Sequence, residues 1–181
     1  TINDITEGVG GDLYKQARSL RTQYAREFEN VGIINKLLST KPGLTDRAIA
    51  LEDVYSHSIR NGSLDDVRQI RRTLQTAGKN GEQAWKELQG QTIQDIKDQI
   101  TKNVQRDEAG NPVISPAALD KIITNLDSDG KLDFIFGKKG AENLRTINDT
   151  TKDVLVSVPN AVNQSNTASV VLAALDTIIS G

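Results

Sequence analysis

The chain contains neither cysteine nor methionine. Without cysteine there are no disulfide staples, no thiolate nucleophiles and no Cys-ligated zinc or iron–sulfur centre. Methionine is missing even at residue 1, where Thr1 opens an ordinary polar segment. The 181 residues are therefore expected to be a piece of a longer polypeptide. Aromatic residues amount to 4%, so a core must be built mainly from Leu, Ile, Val and Ala. Neither sign of charge dominates: 22 Lys and Arg stand against 24 Asp and Glu, a formal net charge of -2. Such a balance gives no global attraction to nucleic acid or to an anionic membrane. No apolar run approaches the ~18 residues of a membrane span. The stretch near Val170 to Ile179 is too short and contains Asp176.

What the sequence does contain is helical periodicity almost throughout, and strand signals are nearly absent. Leu13, Ala17, Leu20, Tyr24 and Phe28 recur at spacings of three and four. They form one apolar stripe on a helix of roughly residues 11–30, which Gly32 interrupts. Lys41-Pro42-Gly43 is a strong breaker, and a second helix capped by Thr45 or Asp46 turns Ile49, Val54, Tyr55 and Ile59 inward. Ser63 reads as the N-cap of a third helix, with Asp65 and Asp66 in its first turn and Val67, Ile70, Leu74 and Ala77 along its stripe. A fourth, from about Glu82 to Gln105, carries Trp85, Leu88, Ile93, Ile96, Ile100 and Val104. Ser115-Pro116 starts a fifth with Leu119, Ile122, Ile123 and Leu126 inside. Two more follow, from Gly140 to Val158 with Leu144, Ile147, Val154 and Leu155 inward, and from Ala168 to Ile179. The fold class is all-α: an irregular bundle of about six to seven helices joined by short turns. Residues 1–181 read as a single helical domain, with a sub-lobe boundary expected near 106–114.

Chemistry-bearing patterns are few. In Asn125-Leu-Asp-Ser-Asp-Gly-Lys-Leu-Asp-Phe-Ile-Phe136, placing Gly130 at position six of a calcium loop puts Asn125, Asp127 and Asp129 at positions one, three and five. Asp133 falls at position nine. The twelfth position, where a bidentate Glu closes the coordination sphere, holds Phe136 instead. The simpler reading of the same residues is a helix-ending turn whose Leu132, Ile135 and Phe136 return the chain to the core. A calcium-binding helical module centred on this loop remains the alternative. Arg68, Arg71 and Arg72, with Arg60 and Lys79 nearby, make the most basic local surface. Asp65 and Asp66 partly neutralise it and no aromatics interleave, so a solvated face is the default and a DNA contact the alternative. His57, the only histidine, stands between Ser56 and Ser58 with no Gly-x-Ser-x-Gly elbow to build a nucleophile. No catalytic residue, cofactor site or small-molecule substrate is identified.

Three stretches carry a resemblance. "RNGSLDDVRQIRRTL" followed by "GEQAWKELQ" gives a Ser-capped helix, a turn and a Trp-bearing helix. "KLDFIFGKKGAENLRTINDTTKDVL" gives an apolar piece, Phe-Gly, then a helix with Ala-Glu-x-Leu-Arg. "VPNAVNQSNTAS" closes with a polar turn. Together, over roughly Arg60 to Ser169, they resemble large structural or ejection-type internal proteins of tailed phages and prophages. The resemblance implies a helical, non-enzymatic part of a virion protein, located in the virion or the bacterial host cytoplasm. Its expected partners are other copies or other virion proteins, with weak contact to passing DNA. No catalytic residues transfer from it.

Overall fold

The computed structural model describes residues 10–102, 110, 113–157 and 164–180. Seven α-helices are found there: α1 (Gly11–Ser39), α2 (Thr45–Val54), α3 (Leu64–Thr76), α4 (Gly78–Thr101), α5 (Pro116–Ser128), α6 (Lys131–Ser157) and α7 (Gln164–Ser180). A single π-helical turn, Tyr55–Arg60, continues α2. No strand is present among the described residues. The chain is an all-α bundle.

Local chemistry sets several of the helix starts. At α3 the Ser63 hydroxyl accepts from the Asp66 amide while the Asp66 carboxylate accepts from the Ser63 amide, a reciprocal capping box. At α5 the Ser115 hydroxyl accepts from the Ala118 amide, and Pro116 occupies the first turn. The Ser115 amide also donates to the Ile100 carbonyl at 2.8 Å, so the chain returns to the end of α4 after the 106–114 connection.

Elsewhere the boundaries differ from expectation. Gly32 does not interrupt α1. It lies exposed, and the helix continues because Asn30, Ile34 and Leu37 bury its opposite side. A Gly inside a helix costs about 1 kcal/mol, less than such packing contributes. Helix α4 begins at Gly78, a full turn before Glu82, and Val104 lies outside the described residues. The inner face of α2 is Arg47, Ala50 and Val54, whereas Ile49 is exposed. Lys131 to Phe136 is already helical, and α6 bends at Gly137, whose φ of 74° is left-handed. Val154, expected inside, is exposed; the side chain of Leu155 lies outside the description.

Two apolar clusters make the core. The first joins Ile34, Leu37, Val54, Ile70, Leu74, Trp85 and Leu88 from α1 to α4. The second joins Ile96, Ile100, Leu119, Leu132, Leu144 and Leu175 from α4 to α7. Helix α4 belongs to both, giving its first half to one and its second half to the other. Phe136 packs against both clusters as well.

Candidate functional site

The acidic loop is built around an internal cation. Arg145, one helix further on, donates from Nε and Nη2 to both Asp127 oxygens, at 3.0 and 2.7 Å. Its Nη2 also reaches Asp133 at 2.8 Å. Hydrogen bonds from Arg145 hold the Asp127 carboxyl below the usual carboxylate range, and the same bonds raise Arg145 above its ordinary value. Asp129 caps α5 and lies 3.9 Å from Lys131, while Asn125 sits in the last turn of α5. Gly130, with φ 76°, makes the turn into α6. Among the described residues no cluster of three or more acids or histidines is arranged to hold a metal ion. Calcium would have to displace Arg145 here. Millimolar calcium is therefore expected to leave the melting temperature unchanged; a rise of several degrees would mean that the carboxylates turn to the ion.

The three arginines of α3 stand in three different settings. The Arg71 guanidinium forks onto Glu82 at 3.0 and 3.3 Å and lies over the Trp85 ring, 4.9 Å from its centroid. Arg68 pairs with Asp65 at 3.3 Å. Arg72 is exposed beside Arg26, Glu27 and Asp66 in a shallow groove. At His57 the flanking hydroxyls point away: Ser56 donates to Glu52, and Ser58 to the Val54 carbonyl. His57 Nδ1 lies 3.8 Å from Glu29. Asp95 collects three donors, Tyr55 at 2.5 Å, Arg60 at 2.6 Å and Gln99 at 2.6 Å. Burial, then the hydrogen bond and charge of Asp95, push the Tyr55 phenol upward. Tyr55 and Arg60 belong to the π-helical turn and Asp95 to α4, so this group fastens one element to the other.

The feature that stands apart is the first half of α1. Every residue from Asp12 to Ala25 is exposed. The apolar stripe found in the sequence is real as a stripe, but it faces solvent rather than a core. Leu13 is 70% exposed, Tyr14 58%, Leu20 52%, Tyr24 69%, Phe28 84% and Val31 37%. The whole chain has only three Tyr, three Phe and one Trp. Displaying Tyr14, Tyr24 and Phe28 on one helix thus commits three of seven aromatics to solvent. Isolated exposed apolar side chains are ordinary, but a contiguous patch above a few hundred Å² marks an interaction surface. Lys15, Arg18 and Arg21 lie on the same exposed segment.

The root of this arm is fixed by polar bonds. Arg26 Nε donates to Asp66 at 3.1 Å, and Asn30 Nδ2 donates to Asp66 at 3.1 Å and to Gln69 at 2.8 Å. Burial alone would raise the Asp66 carboxyl. The bonds from Arg26, the Ser63 amide and Asn30 outweigh it and lower the carboxyl to about 2. A depressed carboxylate stabilises the fold above its unfolded value and loses that contribution as pH falls. About 2 kcal/mol present above pH ~4 should disappear on the way down through pH ~2. Thermal melts at stepped pH should show Asp66→Asn with a flatter acid limb than the parent; equal limbs would reject the assignment.

No family model, curated protein or solved structure matches this chain. The surface must therefore be read from its own chemistry. Periodicity reported which residues of α1 share a face, and it could not report what covers them. One signal was available: a chain so poor in aromatics places three within fifteen residues of one helix.

Proposed function

We propose that the chain is a non-enzymatic structural and interaction domain of a phage-derived virion or DNA-ejection protein. The observation that carries the reading is the exposed apolar stripe of α1, projecting from a body whose own core is already complete. A bundle that displays three of its seven aromatics to solvent is suited to docking against other protein, because burying such side chains is what drives association. Two further points support it. Asp127 and Asp133 of the acidic loop are paired with Arg145, and Arg68 and Arg71 of α3 with Asp65 and Glu82, as structural ion pairs are. Among the described residues no helix is long and apolar enough to cross a membrane. The resemblance over Arg60 to Ser169 supplies the biological setting.

The test is particle association. An antibody against the chain should label tailed-phage particles induced from the bacterium that carries its gene, and the antigen should sediment with them. Antigen found only in the particle-free fraction would overturn the virion assignment. Turnover of peptidoglycan by the purified chain would overturn the non-enzymatic one.

A further inference from the structure

We infer that the exposed stripe of α1 is covered by the same stripe of a second copy of this chain, running antiparallel. This deepens the proposal above and rests on its premise that the stripe is a docking surface.

The spacing is the first argument. Leu13, Ala17, Leu20, Tyr24, Phe28 and Val31 span 18 residues in five steps, a mean of 3.6, which is the α-helical repeat itself. The stripe therefore runs straight along the helix for about 27 Å instead of spiralling around it. A straight rod of matching length and chemistry is the natural cover, and the same helix reversed supplies one.

Self-complementarity is the second argument. When Leu20 stands opposite Tyr24 of the second copy, Leu13 falls opposite Val31 and the small Ala17 comes within one residue of the bulky Phe28. Each large side chain then meets a smaller one, as close packing of a two-fold interface requires. On one shoulder of the stripe Gln23 meets its own counterpart, and two amides can exchange hydrogen bonds.

Area is the third. With aromatic side chains contributing ~150–250 Å² each, the exposed stripe amounts to several hundred Å² per copy. Covering it twice reaches the lower edge of specific interfaces, about 1,200 Å² in total. Covering it with a small loop or a single side chain would leave most of it wet. Cover also explains the arm's helicity, since an exposed helix of some fourteen residues is marginal alone in water.

The second shoulder gives a signature. Arg21 lies close to Arg21 of the other copy in this arrangement, so salt should strengthen association. An acidic protein, DNA or an anionic lipid surface would bind the arm with the opposite salt dependence.

Because the chain has no cysteine, introduced thiols report without background. Light scattering across micromolar to millimolar concentration should show a monomer–dimer equilibrium that tightens with salt. Leu20→Glu should weaken it on the order of 100-fold, as burying an unpaired charge demands. Its melting transition at low concentration should match that of the parent, since Leu20 touches no core. A mixture of Leu13→Cys and Val31→Cys chains should cross-link to each other on oxidation, and neither should cross-link efficiently to itself. Self-linking of Leu13→Cys would overturn the antiparallel arrangement. A monomer at every concentration and salt would overturn the second copy as the occupant. Association with sonicated anionic vesicles or with an acidic peptide in place of dimerisation would overturn it too. Those failures are separate from failure of the assembly role, which only the particle-association test removes.

Discussion

Arg47→Ala is expected to lower stability by about 3–5 kcal/mol, the usual cost of removing one partner from a buried ion pair. Arg47 is almost fully buried and does two jobs. Its Nε and Nη2 each meet Glu87 at 3.1 Å, and its Nη1 donates to the Leu37 carbonyl at 2.5 Å near the end of α1. Alanine would leave the part-buried Glu87 with only the Gln83 amide in place of its charge partner, and would remove the strongest of the donors to the Leu37 carbonyl, which keeps Thr40 alone. For a domain of this size the melting temperature should fall by roughly 10 °C. Arg47→Lys should recover less than half of that, since an ammonium cannot fork onto a carboxylate and reach a carbonyl together. Urea titration with unchanged slope gives the number; a loss below about 1 kcal/mol would refute the account.

The second large effect is at Gly81. A Cβ built there would stand 1.7 Å from the Leu74 carbonyl oxygen and 2.6 Å from its carbon. Both are backbone atoms of α3, so no side-chain rotation can relieve the clash. Gly81→Ala should separate the end of α3 from the start of α4 and cost at least ~3 kcal/mol, the upper range for forced overpacking. Gly32→Ala makes the control. It lies in a helix with nothing within 4 Å of its Cβ, so alanine there should stabilise by about 0.5–1 kcal/mol. Circular-dichroism melts of the two variants should therefore move in opposite directions, and parallel shifts would sink the argument.

Comparison of these two glycines shows where the sequence was informative. Gly32 read as an interruption and Gly81 stood just outside the helix expected from Glu82, whereas both lie within helices. Local signals were sound where the chemistry is local: Ser63 with Asp66, Ser115 with Pro116, and the 3–4 spacing of Val67, Ile70 and Leu74 all describe neighbours within a turn or two. Arg47 was illegible because its burial depends on Glu87, forty residues away. Asp127 and Asp133 stood as alternative ion ligands beside the turn reading because Arg145, which pairs with both, lies beyond the loop. The stripe of α1 was found residue by residue, and the pattern left open what lies against it. Amphipathicity says that a face will be covered, and a core and a partner satisfy it equally.

Trp85, the single tryptophan, touches Phe134 of α6 edge-on at 6.2 Å and carries Arg71 over its ring. It therefore watches the seam where α3 and α4 meet the second half of the chain. Because α4 supplies both clusters, neither half keeps a complete interior once that helix frays. The emission of one indole should then report the melting of the entire body, tracking the far-ultraviolet signal through a single shared transition. The outward arm would be invisible to it: a helix whose loss dims the dichroism while leaving the fluorescence untouched.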